Sequence, residues 1–202
     1  MHSELEVNQL YKKRVKLYKE LGVDLEKNLE SIIEKAEPFS GKVLDVGTGK
    51  GYLAVALAKK GYDFRSIDIS EEEQNFARLN INYLGLNNKV DFLLEDAEKM
   101  PFKEKIFGLI ISVNAVHHFK RPFAVIDELI RVLNPEGKMV LADFNDKGLE
   151  FVDQIHKIDG RTHNRGQGVS LEEIKEYLLQ KGFLVKLITT ELEDILICSS
   201  KN

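Results

Sequence analysis

Along most of the chain, apolar runs of four to eight residues alternate with longer segments in which apolar residues recur at helical spacing. Short continuous apolar runs suit strands buried on both faces, so the alternation predicts βαβ units and a parallel sheet. Strands are expected near 42–46, 63–68, 90–94, 107–113 and 137–144, then near 183–189 and 193–199. Helices are expected near 51–60, 71–84, 121–133 and 170–181. Ser70 with Glu73, and Ser170 with Glu173, have the spacing of a capping box, in which each residue satisfies a backbone N–H of the other. Pro122 suits the first turn of the helix after Arg121, where no N–H is needed.

Only a few residues around Glu191 separate the last two strands. That is too few for a helical crossover, so these strands should pair antiparallel. Five parallel strands and a terminal hairpin result. The first forty residues read as two helices, roughly 4–20 and 24–36, packed on one edge of the sheet. No repeat, low-complexity tract or long linker divides the chain, and one domain over 1–202 is expected. Within it, 1–38 form a cap or edge, 40–145 the core, and 146–202 a helix-loop-helix and the hairpin.

With 202 residues the chain can bury a substantial core. A net charge of -4 and a pI of about 5.8 argue against a dedicated nucleic-acid binder, which is usually basic. The lone Cys198, in the apolar run DILIC, excludes an internal disulfide and reads as a buried strand residue. No window approaches the roughly 20 apolar residues of a membrane span, and the N-terminus lacks a signal-peptide core. A cytoplasmic, reduced protein is the expectation.

The stretch VLDVGTGKG, residues 43–51, carries the first chemical signal. Gly47 suits a sharp turn out of the strand, Gly49 leaves room for a ligand against the backbone, and Gly51 lets the helix start close to the sheet. The start of that helix offers N–H groups and a positive dipole end. The spacing is G-x-G-x-G, with Tyr52 where the dinucleotide fingerprint needs its third glycine. Asp45 would repel a pyrophosphate and welcome positive charge, although it would also serve as a cap for nearby N–H groups. S-adenosylmethionine carries an ammonium, a sulfonium and a carboxylate, and no phosphate.

On Asp45, Gly47, Gly49 and Gly51, the chain resembles the class I S-adenosylmethionine-dependent methyltransferases over roughly residues 40–145, with Thr48 between them a further cofactor-binding candidate. Within that family it looks most like the ubiquinone and menaquinone biosynthesis enzymes. The resemblance implies a three-layer α/β sandwich around a seven-stranded, mostly parallel sheet with an antiparallel terminal strand, in agreement with the strand count. It also implies a cofactor-binding core in 40–145, with S-adenosylmethionine as cofactor and S-adenosylhomocysteine as product.

Asp68, at the end of the second strand, suits both hydroxyls of a ribose and would repel a 2′-phosphate; its alternative is a cap for the next helix. Ile69 follows it. Asp96 and Ala97 match the family's adenine-contacting pair, and would otherwise form an ordinary turn. Val113 and Asn114 stand at the carboxyl end of the fourth strand, where open α/β sheets bind ligands. Gly108, where many relatives carry Asp, is a departure at the far end of that strand.

The catalytic residue is unknown at this level, because methyl transfer chiefly requires alignment of the acceptor. His118 is a weak candidate and His117 a weaker one; His156 and His163 complete the list of bases considered. No metal is expected, since His156, Asp159 and His163 have no recognised ligand spacing. Residues 160–168, with Arg161, His163 and Arg165, read either as a lid or as a solvated loop. Tyr11 and Tyr18 share a helical face that suits a cap, and the positive charges around them read as a solvated face, with RNA or acidic-lipid contact as the alternative. Without an Asn-Pro-Pro-aromatic run, a Pro-Cys pair or a recognition domain, the acceptor reads as a small molecule and not nucleic acid. A non-catalytic S-adenosylmethionine-binding module is the principal alternative. An RNA or protein methyltransferase and an NAD-dependent oxidoreductase stand behind it.

Overall fold

The computed structural model describes residues 2–160 and 169–200. Seven strands form one sheet, β1(Lys42–Val46), β2(Phe64–Asp68), β3(Val90–Leu94), β4(Phe107–Val113), β5(Leu133–Phe144), β6(Phe183–Thr189) and β7(Glu193–Ser200). Their order is β3-β2-β1-β4-β5-β7-β6. The first five run parallel, while β7 pairs antiparallel with both β5 and β6. The expected seven-stranded, mostly parallel sheet with its terminal hairpin is the observed one.

The helices are α1(Glu4–Glu20), α2(Leu25–Ala36), α3(Tyr52–Lys59), α4(Glu71–Tyr83), α5(Pro122–Val132), α6(Asp146–Ile158) and α7(Leu171–Gln180). Alternation along β1 divides the core. Val43 joins a cluster with Leu29, Ile32 and Ile33 of α2 and Leu53 of α3, whereas Leu44 and Val46 join Ile126 and Leu129 of α5 and Ile174 of α7. Three layers result. The first two helices cover a face of the sheet and not an edge. The reason is the apolar stripe of α2, whose buried residues reach Val140 and Ile195, while α1 lies on α4 through a buried Asn8–Asn80 hydrogen bond of 2.8 Å.

The start of β5 and the cap of α4 differ from the pattern-based expectation. Strand β5 starts at Leu133, because Leu133 already pairs with Phe107 before the register shifts to Leu109 with Lys138. A Cβ on Gly108 would come within 1.6 Å of the Ser40 carbonyl oxygen, so β4 has no room for a side chain there. The second difference is at Ser70. Its hydroxyl accepts from Glu73 N–H, but its own N–H donates to Asp68, so only Ser170 closes a full capping box of the two proposed. Cys198 is buried in β7, as expected, and burial pushes its thiol up to about 12.

Between β3 and β4 the chain crosses without a helix. Met100 and Phe102 fill that space, and α5 pins them: Arg131 donates to both carbonyls while Glu128 accepts Met100 N–H.

Candidate functional site

Gly47 leaves β1 at φ 84°, and a Cβ there would stand 2.5 Å from that of Ala115. Both the angle and the approach exclude other residues. Gly47 and Thr48 donate to the Ile67 carbonyl at 2.9 and 3.0 Å, tying the turn to the end of β2. Around Gly49 the space a side chain would take is open. Gly51 corrects the sequence reading. At φ 80°, its Cβ would meet Ala77 Cβ at 2.6 Å, so this glycine admits α3 against α4 and not against the sheet.

Asp45 is 1% exposed. Its Oδ2 accepts from Ser66 Oγ at 2.7 Å, and Ser66 shares a 2.6 Å hydrogen bond with Thr48. Burial, with the charge of Asp68 adding to it and the Ser66 bond opposing it, pushes the carboxyl up to about 7. Its other oxygen, Oδ1, is buried without a hydrogen-bond partner. Such an atom is costly until something donates to it. A cationic amine fits that need, and a phosphate does not.

Asp68 closes β2 with two backbone donors: Gly49 N–H to Oδ2 at 2.7 Å and Ser70 N–H to Oδ1 at 2.8 Å. The cap reading of Asp68 is therefore part of its role. Each oxygen keeps a further lone pair for a hydroxyl. Ile69 and Leu94, at the ends of β2 and β3, are 68% and 51% exposed, apolar surface at the ligand end of the sheet. Asp96 forms the ordinary turn weighed for it, accepting Glu98 N–H at 2.8 Å, and Ala97 packs on the second core cluster.

Val113 ends β4, and Asn114 follows at φ 55° with its N–H donated to Ala142. The Asn114 side chain donates to Glu193 at 3.1 Å, and Asn28 of α2 donates to the other Glu193 oxygen at 2.7 Å. Glu193 is 1% exposed, and burial raises its carboxyl above the usual range. The sequence reading missed this residue; an acid opening an apolar strand is its only trace there.

The first helix packs beside the glycine turn. Tyr11 stacks on Tyr52 at 5.1 Å, Tyr18 meets Phe151 of α6 edge-on, and Arg14 pairs with Asp159. The Arg14 side chain is 16% exposed, so it departs from the solvated face assigned to that run. A cleft of about 120 Å³ lies among Lys13, Arg14, Lys50, Tyr52, Phe76 and Asp159, beside the glycine turn. His118 is exposed, whereas His117 is held by Asp143. Among the described residues no group of three His, Cys, Asp or Glu could hold a metal. Arg161, His163 and Arg165, with the lid reading, lie outside the described residues.

Residues 44–141 match the family model described as a methyltransferase domain. A ubiquinone biosynthesis O-methyltransferase of Xanthomonas axonopodis is 30% identical over 177 residues, covering 83% of this chain and 70% of that protein. The methyltransferase YcgJ of Bacillus subtilis is 29% identical, covering 79% of this chain and 65% of that protein. Its crystal structure superposes with a TM-score of 0.66 at 21% identity, covering 86% of this chain and 98% of that one. A SAM-dependent methyltransferase from Aquifex aeolicus gives 0.67 at 22% identity, covering 98% of both chains. The chain spans less than two thirds of the length of the first relatives it matches. Sequence kinship, sheet order and glycine turn agree: the chain belongs to the class I S-adenosylmethionine-dependent methyltransferases.

Proposed function

We propose that this protein transfers a methyl group from S-adenosylmethionine to a small-molecule acceptor. The observation that carries the reading is the buried, donor-less Oδ1 of Asp45 beneath an open glycine turn, a site suited to a cationic amine. In this reading Asp45, Gly47, Thr48, Gly49 and Gly51 hold the amino-acid end, and Asp68 accepts from the ribose hydroxyls. Ile69, Asp96 and Ala97 flank the adenine, and Val113 with Asn114 lines the floor. The cofactor supplies an electrophilic methyl carbon for in-line displacement. The protein's part is to align the acceptor, which contributes several kcal/mol by proximity alone.

The curated relative named for ubiquinone biosynthesis supports a small-molecule acceptor, as does the net charge of -4. Among the described residues no helix is long and apolar enough to cross a membrane. The test is release of S-adenosylhomocysteine with three acceptor panels: small aromatic and aliphatic molecules, unmodified RNA, and peptides. Turnover confined to the first panel supports the reading. Turnover only with RNA or peptide contradicts it, and tight cofactor binding with no turnover in any panel favours a non-catalytic binding module.

A further inference from the structure

The cleft beside the glycine turn combines apolar walls with positive charge. Leu10 and Leu17 of α1, Tyr52 at the start of α3 and Phe76 of α4 supply the walls, and Tyr52 is braced by its stack on Tyr11. Leu10 is 43% exposed, so the apolar wall extends to the surface. Two lysines from separate elements also line the cleft, Lys13 of α1 and Lys50 of the turn. Its volume of about 120 Å³ corresponds to roughly four water molecules at about 30 Å³ each. That is room for a charged headgroup and a short stem.

The charges in the cleft do not cancel. Arg14 pairs with Asp159, so those two offset one another. Lys13 has no carboxylate partner among the described residues. Lys50 Nζ lies 3.9 Å from Glu73, whose side chain is 43% exposed, and 5.8 Å over the ring of Phe76. So long and exposed an ion pair contributes at most about 1 kcal/mol. The ring contact holds the ammonium beside the cleft wall. A partly enclosed, apolar-walled space of one charge sign attracts the opposite ion.

The cofactor brings a carboxylate of its own. No side chain caps α3, so the N–H groups of its first turn are open to that carboxylate. The two lysines are left for a second anion. Lys50 adjoins Gly49, around which the space a side chain would take is open. An anion held at Lys50 therefore belongs to a molecule seated beside the cofactor, as a methyl acceptor is.

We infer that the methyl acceptor carries an anionic group, a carboxylate or a phosphate, on an apolar body, and that Lys13 and Lys50 bind this group in the cleft and set acceptor specificity. The inference rests on the methyltransferase reading above and narrows its substrate class.

The experiment uses the full chain loaded with S-adenosylhomocysteine and probes of known charge. Calorimetry compares benzoate and phenyl phosphate with benzamide, an uncharged analogue of similar shape. At least one anion should bind about tenfold or more tightly than benzamide, and added salt should weaken it. The two anionic arms tell a carboxylate from a phosphate. The double variant Lys13→Met with Lys50→Met keeps the apolar stems and should erase the preference, with the affinity for S-adenosylmethionine retained. Either single variant should lose part of it, which keeps the comparison open should the double variant fail to fold. Turnover gives a second readout. With phenols offered both as benzoates and as their methyl esters, release of S-adenosylhomocysteine should favour the acid through a lower KM, and the double variant should remove that difference. Benzamide binding as tightly as both anions overturns the inference, as does absence of binding by either anion or turnover confined to the esters. Loss of S-adenosylmethionine affinity in the folded variants also overturns it, because the cleft would then hold the cofactor's own carboxylate. Failure of the wild type to bind S-adenosylmethionine or S-adenosylhomocysteine would instead remove the reading beneath it.

Discussion

Gly49 and Asp68 are joined by a 2.7 Å hydrogen bond from the glycine N–H to Oδ2, so the residue proposed to hold the ribose also fixes the shape of the glycine turn. Substitution at 68 should therefore damage binding twice. Asp68→Ala removes a charged acceptor from the ligand and frees the turn, and each hydrogen bond to a charged group contributes about 1.5–3 kcal/mol. A loss of at least a hundredfold in S-adenosylmethionine affinity is expected by calorimetry, with a smaller loss in Asp68→Asn, which keeps one acceptor oxygen.

Gly51→Ala should destabilise the fold by about 1–3 kcal/mol from its left-handed backbone alone, with the clash against Ala77 Cβ added. The double variant Gly51→Ala with Ala77→Gly relieves the clash and keeps the backbone strain. Denaturant unfolding should show partial recovery. Equal stability of the single and double variants would place the constraint elsewhere.

Glu193 ties α2 and β4 to the start of β7 through Asn28 and Asn114. Glu193→Ala leaves two amide groups without their acceptor and should cost roughly 2–6 kcal/mol, about 1–3 for each orphaned group. The pH dependence has a defined sign. Burial raises this carboxyl in the folded state, so the native protein holds the proton more tightly than the unfolded chain. Its contribution is complete below the unfolded value near 4.3 and is lost as pH rises through the raised folded value. Glu193→Gln should flatten that part of the stability profile.

Asp45 follows the same sign with a stated window. Its folded value of about 7 stands above the ordinary 3.8, so its contribution to apo stability is complete below 3.8 and declines as pH rises through about 7. Asp45→Asn should remove that decline. A bound ammonium favours the ionised form, so binding of S-adenosylmethionine near pH 6.5 should release protons. Calorimetry in buffers of different ionisation enthalpy measures the release, which the Asn variant should lack along with roughly ten- to hundredfold of affinity.

Much of this architecture was legible from local pattern. Apolar runs located every strand, the short connection at Glu191 announced the hairpin, and Asp45 and Asp68 stood out because acids are rare inside such runs. What escaped was set by distance along the chain. Glu193 meets Asn28 across 165 residues, Arg14 meets Asp159 across 145, and Asp143 meets His117 across 26, so none leaves a local spacing to read. Gly51 reads in the sequence as a close-packed glycine, but its neighbour, Ala77, belongs to another helix. Periodicity predicted α2 and could not say that it covers the middle of a face.

The most direct test is calorimetric titration of the wild type with S-adenosylmethionine, S-adenosylhomocysteine and NAD. Binding of the first two, no binding of NAD, and loss of the first two in Asp68→Ala are expected. Binding of NAD without either sulfur ligand would contradict it and reassign the glycine turn to a dinucleotide.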